Sequence, residues 1–393
     1  MFRSFVVGVA VSVTFQVSGC DGSAGPTGSP LLGAVAVATG PAHTCAVMDD
    51  GTAKCWGGDA FGQLGDDETT FMVPAPTPVL GLADVKGLAL GLTHTCALET
   101  DGSVACWGGN TECQLGNGCD VFGVPGSQSG ALDVPTPVGV PGISGPVAAL
   151  ATGSLEASDA GYTCALLVGG TMECWGSNLL GVNPDPMVDV IPPTAVAGVS
   201  NAVAMALGGN FACVLLVDST VACWGTGPLG QPGANAASSS PTPIRVAGLS
   251  GVVAIAAGYF HVCALLDAGT VSCWGMNSTG ALGDGTLTDS QGPVMADGVT
   301  GAVAIAAAGF YSFAVLSDGT VKQWGMDLRV LEPAVVPGLS NASSISATPS
   351  SACVVVAGGR VECWGDDSSG QLGTGVLGGG PSTTTPVTVV SGS

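Results

Sequence analysis

Positive charge is nearly missing from this chain. Its 393 residues hold seven Lys and Arg against twenty-nine Asp and Glu, a formal net charge of −22. A surface of that sign repels phosphate backbones, which argues against nucleic acid as a partner. All charged residues together make up 9% and aromatic residues 5%, and runs of strong helix formers are nearly absent. Histidine occurs three times. There is no Gly-x-Ser-x-Gly elbow, no Walker-type phosphate loop and no zinc-protease His-Glu-x-x-His, so the reactions those signatures mark have no candidate here.

What is present is a repeat. Its clearest copy is His43-Thr44-Cys45-Ala46-Val47-Met48-Asp49-Asp50-Gly51-Thr52-Ala53-Lys54-Cys55, followed by Trp56-Gly57. Small and apolar residues alternate into Asp50-Gly51, which reads as a β-hairpin because Gly accepts positive φ in a tight turn. Cys45 and Cys55 are symmetric about Asp50, so they face each other across the strands within disulfide range. The unit returns as Cys96/Cys106, Cys164/Cys174, Cys213/Cys223, Cys263/Cys273 and Cys353/Cys363, each pair followed by Trp-Gly. A seventh copy keeps Asp318-Gly319 and Trp324 but has Phe313 and Gln323 at the cysteine positions. Joint loss of both cysteines from one copy supports pairing within each hairpin.

All seven tryptophans take the same repeat position, and the period is near fifty residues. Such a period with several strand signals per unit points to a β-propeller. Each repeat has four strand-like pieces: a small apolar run such as Val253 to Gly258, the two hairpin strands, and a proline-bearing piece such as Pro76-Thr77-Pro78-Val79. Proline confines the last piece to an edge, and alanine and glycine suit the first to a crowded centre. The fold class is all-β, a seven-bladed propeller of four-stranded antiparallel blades. A Gly-rich loop (Gly62-Gln63-Leu64-Gly65, Gly280-Ala281-Leu282-Gly283, Gly370-Gln371-Leu372-Gly373) precedes the fourth piece.

Residues 1–19 read as a secretory signal: Arg3, a short apolar stretch, then Val17-Ser18-Gly19 before Cys20. The ending resembles a bacterial lipobox, which makes Cys20 the lipidated first residue of the mature protein; the alternative is a plain signal peptide cut nearby. Residues 20–33 then form a flexible tether, and 34–393 the propeller. Fifteen cysteines comprise six hairpin pairs, the couple Cys113 and Cys119, and Cys20, so lipidation explains the odd one. The paired remainder implies an oxidising compartment.

The Ala-x-Gly, His-x-Cys-Ala-Leu, Asp-Gly-x-Val, Trp-Gly and Gly-x-Leu-Gly elements resemble the repeat of the regulator of chromosome condensation family over about Ala34 to Val390. The resemblance implies that family's seven-bladed propeller. It leaves function open, because members include a nucleotide exchange factor for a small GTPase, a plant UV-B receptor and a secreted inhibitor of β-lactamase. The hairpin cysteines and lipobox fit exported bacterial members best.

Candidate chemistry is thin. His43, His94 and His261 each stand two residues before a hairpin cysteine, and their repeats (one, two and five) are not mutually adjacent in a ring, so the three cannot share one ion. The ten-residue cysteine spacing does not match close zinc pairs, and a loop-stapling disulfide accounts for Cys113 and Cys119. Acidic clusters at Asp66-Asp67-Glu68, Asp284 to Asp289 and Asp366-Asp367 lack the spacing of a calcium loop. No metal, cofactor or catalytic residue is assigned. Two connections are long: the stretch after Trp107 and the stretch between Gly153 and Cys164. They belong to consecutive blades and emerge on one face, so Glu112, Asp120, Phe122, Glu156 and Asp159 form a candidate partner-binding patch. The reading is a non-catalytic, monomeric scaffold binding a protein or glycan at a bacterial envelope. Alternatives are an inhibitor of a secreted hydrolase, a polysaccharide-acting enzyme and a guanine nucleotide exchange factor. Mass measurement of the mature N-terminus should find an acylated Cys20; a free Cys20 or cleavage elsewhere rejects the anchor.

Overall fold

The computed structural model describes residues 28–118, 133–154, 161–185, 187–225, 240–325, 331–376 and 382–391. These form seven four-stranded antiparallel sheets, each paired in simple chain order. Blade 1 is β1 (Ala34–Thr39), β2 (His43–Met48), β3 (Ala53–Gly58) and β4 (Met72–Pro78). Blades 2 to 7 repeat it over 85–139, 147–195, 202–245, 252–295, 302–335 and 342–388. First strands line the central channel, and the proline-bearing fourth strands take the outer edge.

The hairpin turn has three residues. Met48 N donates to Thr52 O (2.9 Å) and Gly51 N to Met48 O (3.0 Å), with Gly51 at φ 80°. This is the bulged hairpin loop in which one residue must be left-handed. Asp50 Oδ1 accepts from Thr52 N and Oγ1, which holds the loop. Counting back from the bonded Met48–Thr52 pair, Cys45 and Cys55 form a non-hydrogen-bonded pair, the type whose strands approach more closely. Their Cα atoms lie 4.0 Å apart and their sulfurs are bonded, as are Cys96–Cys106, Cys164–Cys174, Cys213–Cys223, Cys263–Cys273 and Cys353–Cys363.

Strand alternation sends the two faces of each blade to different neighbours. Cys45, Val47, Ala53 and Cys55 pack toward blade 2, against Ala97 and Trp107. Ala46, Met48 and Trp56 face blade 7, against Cys353, Cys363 and Leu372. The core is thus a ring of interblade clusters, in which the disulfide of one blade meets the tryptophan of the next. All seven indoles are buried.

Residues 30–33, read from sequence as the end of the tether, are the clasp that closes the ring. Leu31 N donates to Val389 O (2.8 Å), Pro30 bridges Val390, and Ala34 N donates to Gly359 O (3.0 Å). The Leu31 side chain is buried between blades 7 and 1. Among the described residues no strand from one end of the chain enters the blade formed by the other end.

Blade 6 shows why its cysteines are replaced. Its fourth strand is only Ala334–Val335, and its sequence lacks the Gly-x-Leu-Gly loop. Phe313 meets Trp364 edge-on, at 6.1 Å and 71°, and Gln323 Oε1 accepts from Trp364 Nε1 at 3.0 Å. Side chains of the missing pair therefore hold the next blade's indole. Gln323→Ala leaves a buried indole N–H without an acceptor and should cost about 1–3 kcal/mol; unchanged stability in urea unfolding rejects this role.

Candidate binding face

In blades 1, 2, 5 and 7 the Gly-rich loop supplies one carbonyl that accepts two bonds from the next blade. Gln63 O accepts from Thr95 Oγ1 (2.8 Å) and Trp107 Nε1 (2.9 Å). Gln114 O serves Thr163 and Trp175, Ala281 O serves Ser312 and Trp324, and Gln371 O closes the ring onto Thr44 and Trp56. Both lone pairs of each carbonyl are used. The final glycine of the loop is required because the indole lies against it: a Cβ on Gly65 would sit 2.7 Å from Trp107 Nε1. In blade 2 the same loop reads Cys113-Gln114-Leu115-Gly116, with Cys113 at φ 59° where Gly62 has 73°. A non-glycine residue there is strained. Cys113 is disulfide-bonded, which constrains it; its expected partner, Cys119, lies outside the described residues. Blade 3 has a shorter connection without this loop, and Trp224 Nε1 is buried without an acceptor.

The histidines belong to the same network. His43 Nε2 bonds Thr95 Oγ1 (2.8 Å), His94 Nε2 bonds Thr163 (2.9 Å), and His261 Nε2 bonds Ser312 (2.8 Å). Each hydroxyl already donates its proton to a loop carbonyl, so it accepts from histidine, and Nε2 carries the hydrogen. Burial holds all three rings neutral, pushing His43 down to about 3 and His94 and His261 to about 4. His43 and His94 are in adjacent blades, yet each points to the blade after it. Among the described residues no group of three or more His, Cys, Asp or Glu is placed to hold a metal.

Because strands alternate direction, first-to-second and third-to-fourth connections share one face. Here the channel opens in a cavity of about 290 Å³ lined by all seven blades. On its rim Tyr259 meets Phe310 edge-on at 6.0 Å and Phe260 at 6.2 Å. The third-to-fourth connections carry exposed Asp67, Glu68, Asp185, Asp189, Asp289 and Glu332, and no Lys or Arg among their described residues. Every described Lys and Arg (Lys54, Lys86, Arg245, Lys322, Arg360) lies at the opposite, short-turn end of its blade. Asp59 is buried as a loop cap, accepting from Leu64 N, and burial pushes it up to about 6.

Of the patch expected from sequence, Glu112 is half-buried beside a groove of about 820 Å³ shared with Asn178, Pro184 and Asp189 of blade 3. Asp120, Phe122, Glu156 and Asp159 lie outside the described residues, as does Cys20. The aromatic rim on blades 5 and 6 was not singled out from sequence; its signal was the two adjacent aromatic pairs, Tyr259-Phe260 and Phe310-Tyr311, in consecutive repeats.

The pattern described as "Regulator of chromosome condensation (RCC1) repeat" matches residues 34–63, 85–114 and 252–281. Three of the seven blades carry matches to the RCC1 repeat. It is similar to the regulator of chromosome condensation of Xenopus laevis, 37% identical over 79 residues (20% of this chain and 19% of that protein). It is also similar to the probable E3 ubiquitin-protein ligase HERC6 of Homo sapiens, 32% identical over 147 residues (37% and 13%). The chain therefore spans less than a fifth of the length of these curated relatives. Among solved structures, Prp20p from Saccharomyces cerevisiae superposes with a TM-score of 0.70 at 22% identity, covering 93% of this chain and 87% of that one. Human WBSCR16 gives 0.70 at 18%, covering 85% and 92%. At these identities the likeness is one of fold.

The buried histidines predict an acid response for this propeller. Below the ordinary value near 6.5 the unfolded chain binds protons that the folded one refuses, so stability falls as pH drops from 6.5 toward 4. The loss should be on the order of 2 kcal/mol per histidine. Asp59 and Asp133, both raised by burial, oppose this as two groups against three. His94→Phe copies Phe211, the residue at the equivalent place in blade 4. It should remove about a third of the difference between urea midpoints at pH 4 and 6.5; an unchanged difference rejects the assignment.

Proposed function

We propose that this propeller is a non-catalytic scaffold that binds a basic protein partner on its loop face, tethered through a lipidated Cys20 to a membrane of a bacterial envelope. One observation carries the reading: the sorting of charge, with carboxylates alone on the described third-to-fourth connections and every described cation at the short-turn end. Such a face attracts a cationic surface and speeds encounter with it. The Glu112–Asp189 groove adds apolar Leu179 and Pro184 for a partner to cover. The three histidines are committed to interblade bonds, which supports a structural rather than a catalytic use of them.

The chain's direction supports the tether. Ala34 N is bonded to Gly359 O in a short turn, so the described N-terminal end lies at the short-turn face. A tether from there leaves the acidic face directed away from the membrane. Regulators of chromosome condensation and ligases among the relatives leave the partner open, and the sorting of charge favours a basic protein.

The test immobilises the protein and captures envelope proteins at rising salt. Capture should be lost by about 0.3 M salt. It should also be lost in a variant with Asp67→Asn, Glu68→Gln, Asp185→Asn and Asp189→Asn, and kept with Asp267→Asn and Asp297→Asn at the opposite end. Equal capture by both variants overturns the reading.

A further inference from the structure

We propose that the mouth of the central channel binds one uncharged sugar ring. This site is separate from the acidic rim and does not depend on it. The chain carries twenty-nine carboxylates, yet among the described residues none that lines this cavity is charged. An anion meets the surrounding negative field, and a cation finds no carboxylate among the described lining residues to pair with. What converges there is polar but neutral. The first strand of every blade is terminal in its sheet, so seven backbone edges with donors and acceptors face the channel. Thr39, Thr152 and Ser346 add hydroxyls.

The wall is held in place by bonds between blades. Thr152 Oγ1 donates to Leu90 O (2.7 Å), Tyr259 N donates to Gly309 O (2.9 Å), and Thr39 and Ser346 hydroxyls are 2.8 Å apart. The first-to-second connections differ from blade to blade. Two residues before the second strand, blades 1, 2, 4, 6 and 7 have Pro41, Leu92, Gly209, Gly309 and Pro349, whereas blade 5 has Tyr259, whose ring meets Phe310 of blade 6 edge-on. One side of the mouth is therefore aromatic and the remainder is hydroxyl and backbone. A sugar ring has the matching division, with C–H faces for the aromatic side and hydroxyls on its rim for the backbone. At about 290 Å³ the cavity falls at the lower end of small-molecule sites, room for one ring of a glycan and not for an extended chain.

Saturation-transfer NMR on the intact protein tests this, with methyl β-D-glucopyranoside, methyl N-acetyl-β-D-glucosaminide and glucuronate as probes. At least one neutral glycoside should bind in the millimolar range, as a ligand of that size does, and more tightly than glucuronate. Tyr259→Ala removes the aromatic wall. Ala151→Leu fills the cavity from the other side and leaves the aromatic cluster intact. Each should weaken binding about tenfold or more, with the far-ultraviolet spectrum unchanged. No transfer to any neutral glycoside overturns the proposal, and so does full affinity in Ala151→Leu. Binding of phenylalaninamide in place of sugar also overturns it, by assigning the mouth to a protein side chain.

Discussion

One carbonyl accepting two bonds organises this ring. A blade of four short strands buries neither face alone, so its stability comes from its two neighbours. Apolar packing between blades is non-directional, and on its own it permits sliding. The loop carbonyl at Gln63, Gln114, Ala281 or Gln371 removes that freedom, because an indole N–H and a hydroxyl must both reach one oxygen. The histidine behind the hydroxyl completes a chain of three bonds across the interface in blades 1, 2 and 5. Tyr162 makes a version of it in blade 3 by donating to Gly208 O.

Other features follow from that constraint. The disulfide occupies the non-hydrogen-bonded pair facing the next tryptophan, so it stiffens the hairpin at the surface the indole is pressed against. Blade 6 lacks the loop, and its Phe313 and Gln323 take over packing and acceptance together. That is a physical reason for both cysteines to be absent from one repeat. The ring's closure uses the same bonds as its interior, with Leu31 added as a plug. A rigid ring of this kind leaves its loop face free to vary, and charge and aromatic residues are distributed unevenly over that face.

Periodicity carried the architecture. Fixed spacing of Cys, Asp-Gly, Cys and Trp, and proline in the fourth piece, were enough for seven blades, hairpin register and strand order, because each is a local consequence of alternation and turn chemistry. The carbonyl clasp was not legible, since any residue supplies a carbonyl and only the loop's path aims it. Gln323 looked like the loss of a cysteine and proved to be a substitute acceptor. Residues 30–33, expected from sequence to lie outside the propeller, are tied to Val389 and Val390 of the last blade, a pairing between distant parts of the chain that no local pattern shows.

Composition by itself determined that the protein is acidic, repeats one hairpin and keeps its histidines and tryptophans at fixed repeat positions. Tertiary structure decided where those charges and rings face. Lys54, Lys86, Arg245, Lys322 and Arg360 are scattered through the sequence, and alternating strand direction brings them to one end of the ring. Tyr259 and Phe310 are separated by a whole repeat, and curvature of the ring places them 6.0 Å apart. Both arrangements depend on contacts between blades, which no window of sequence shorter than the ring contains.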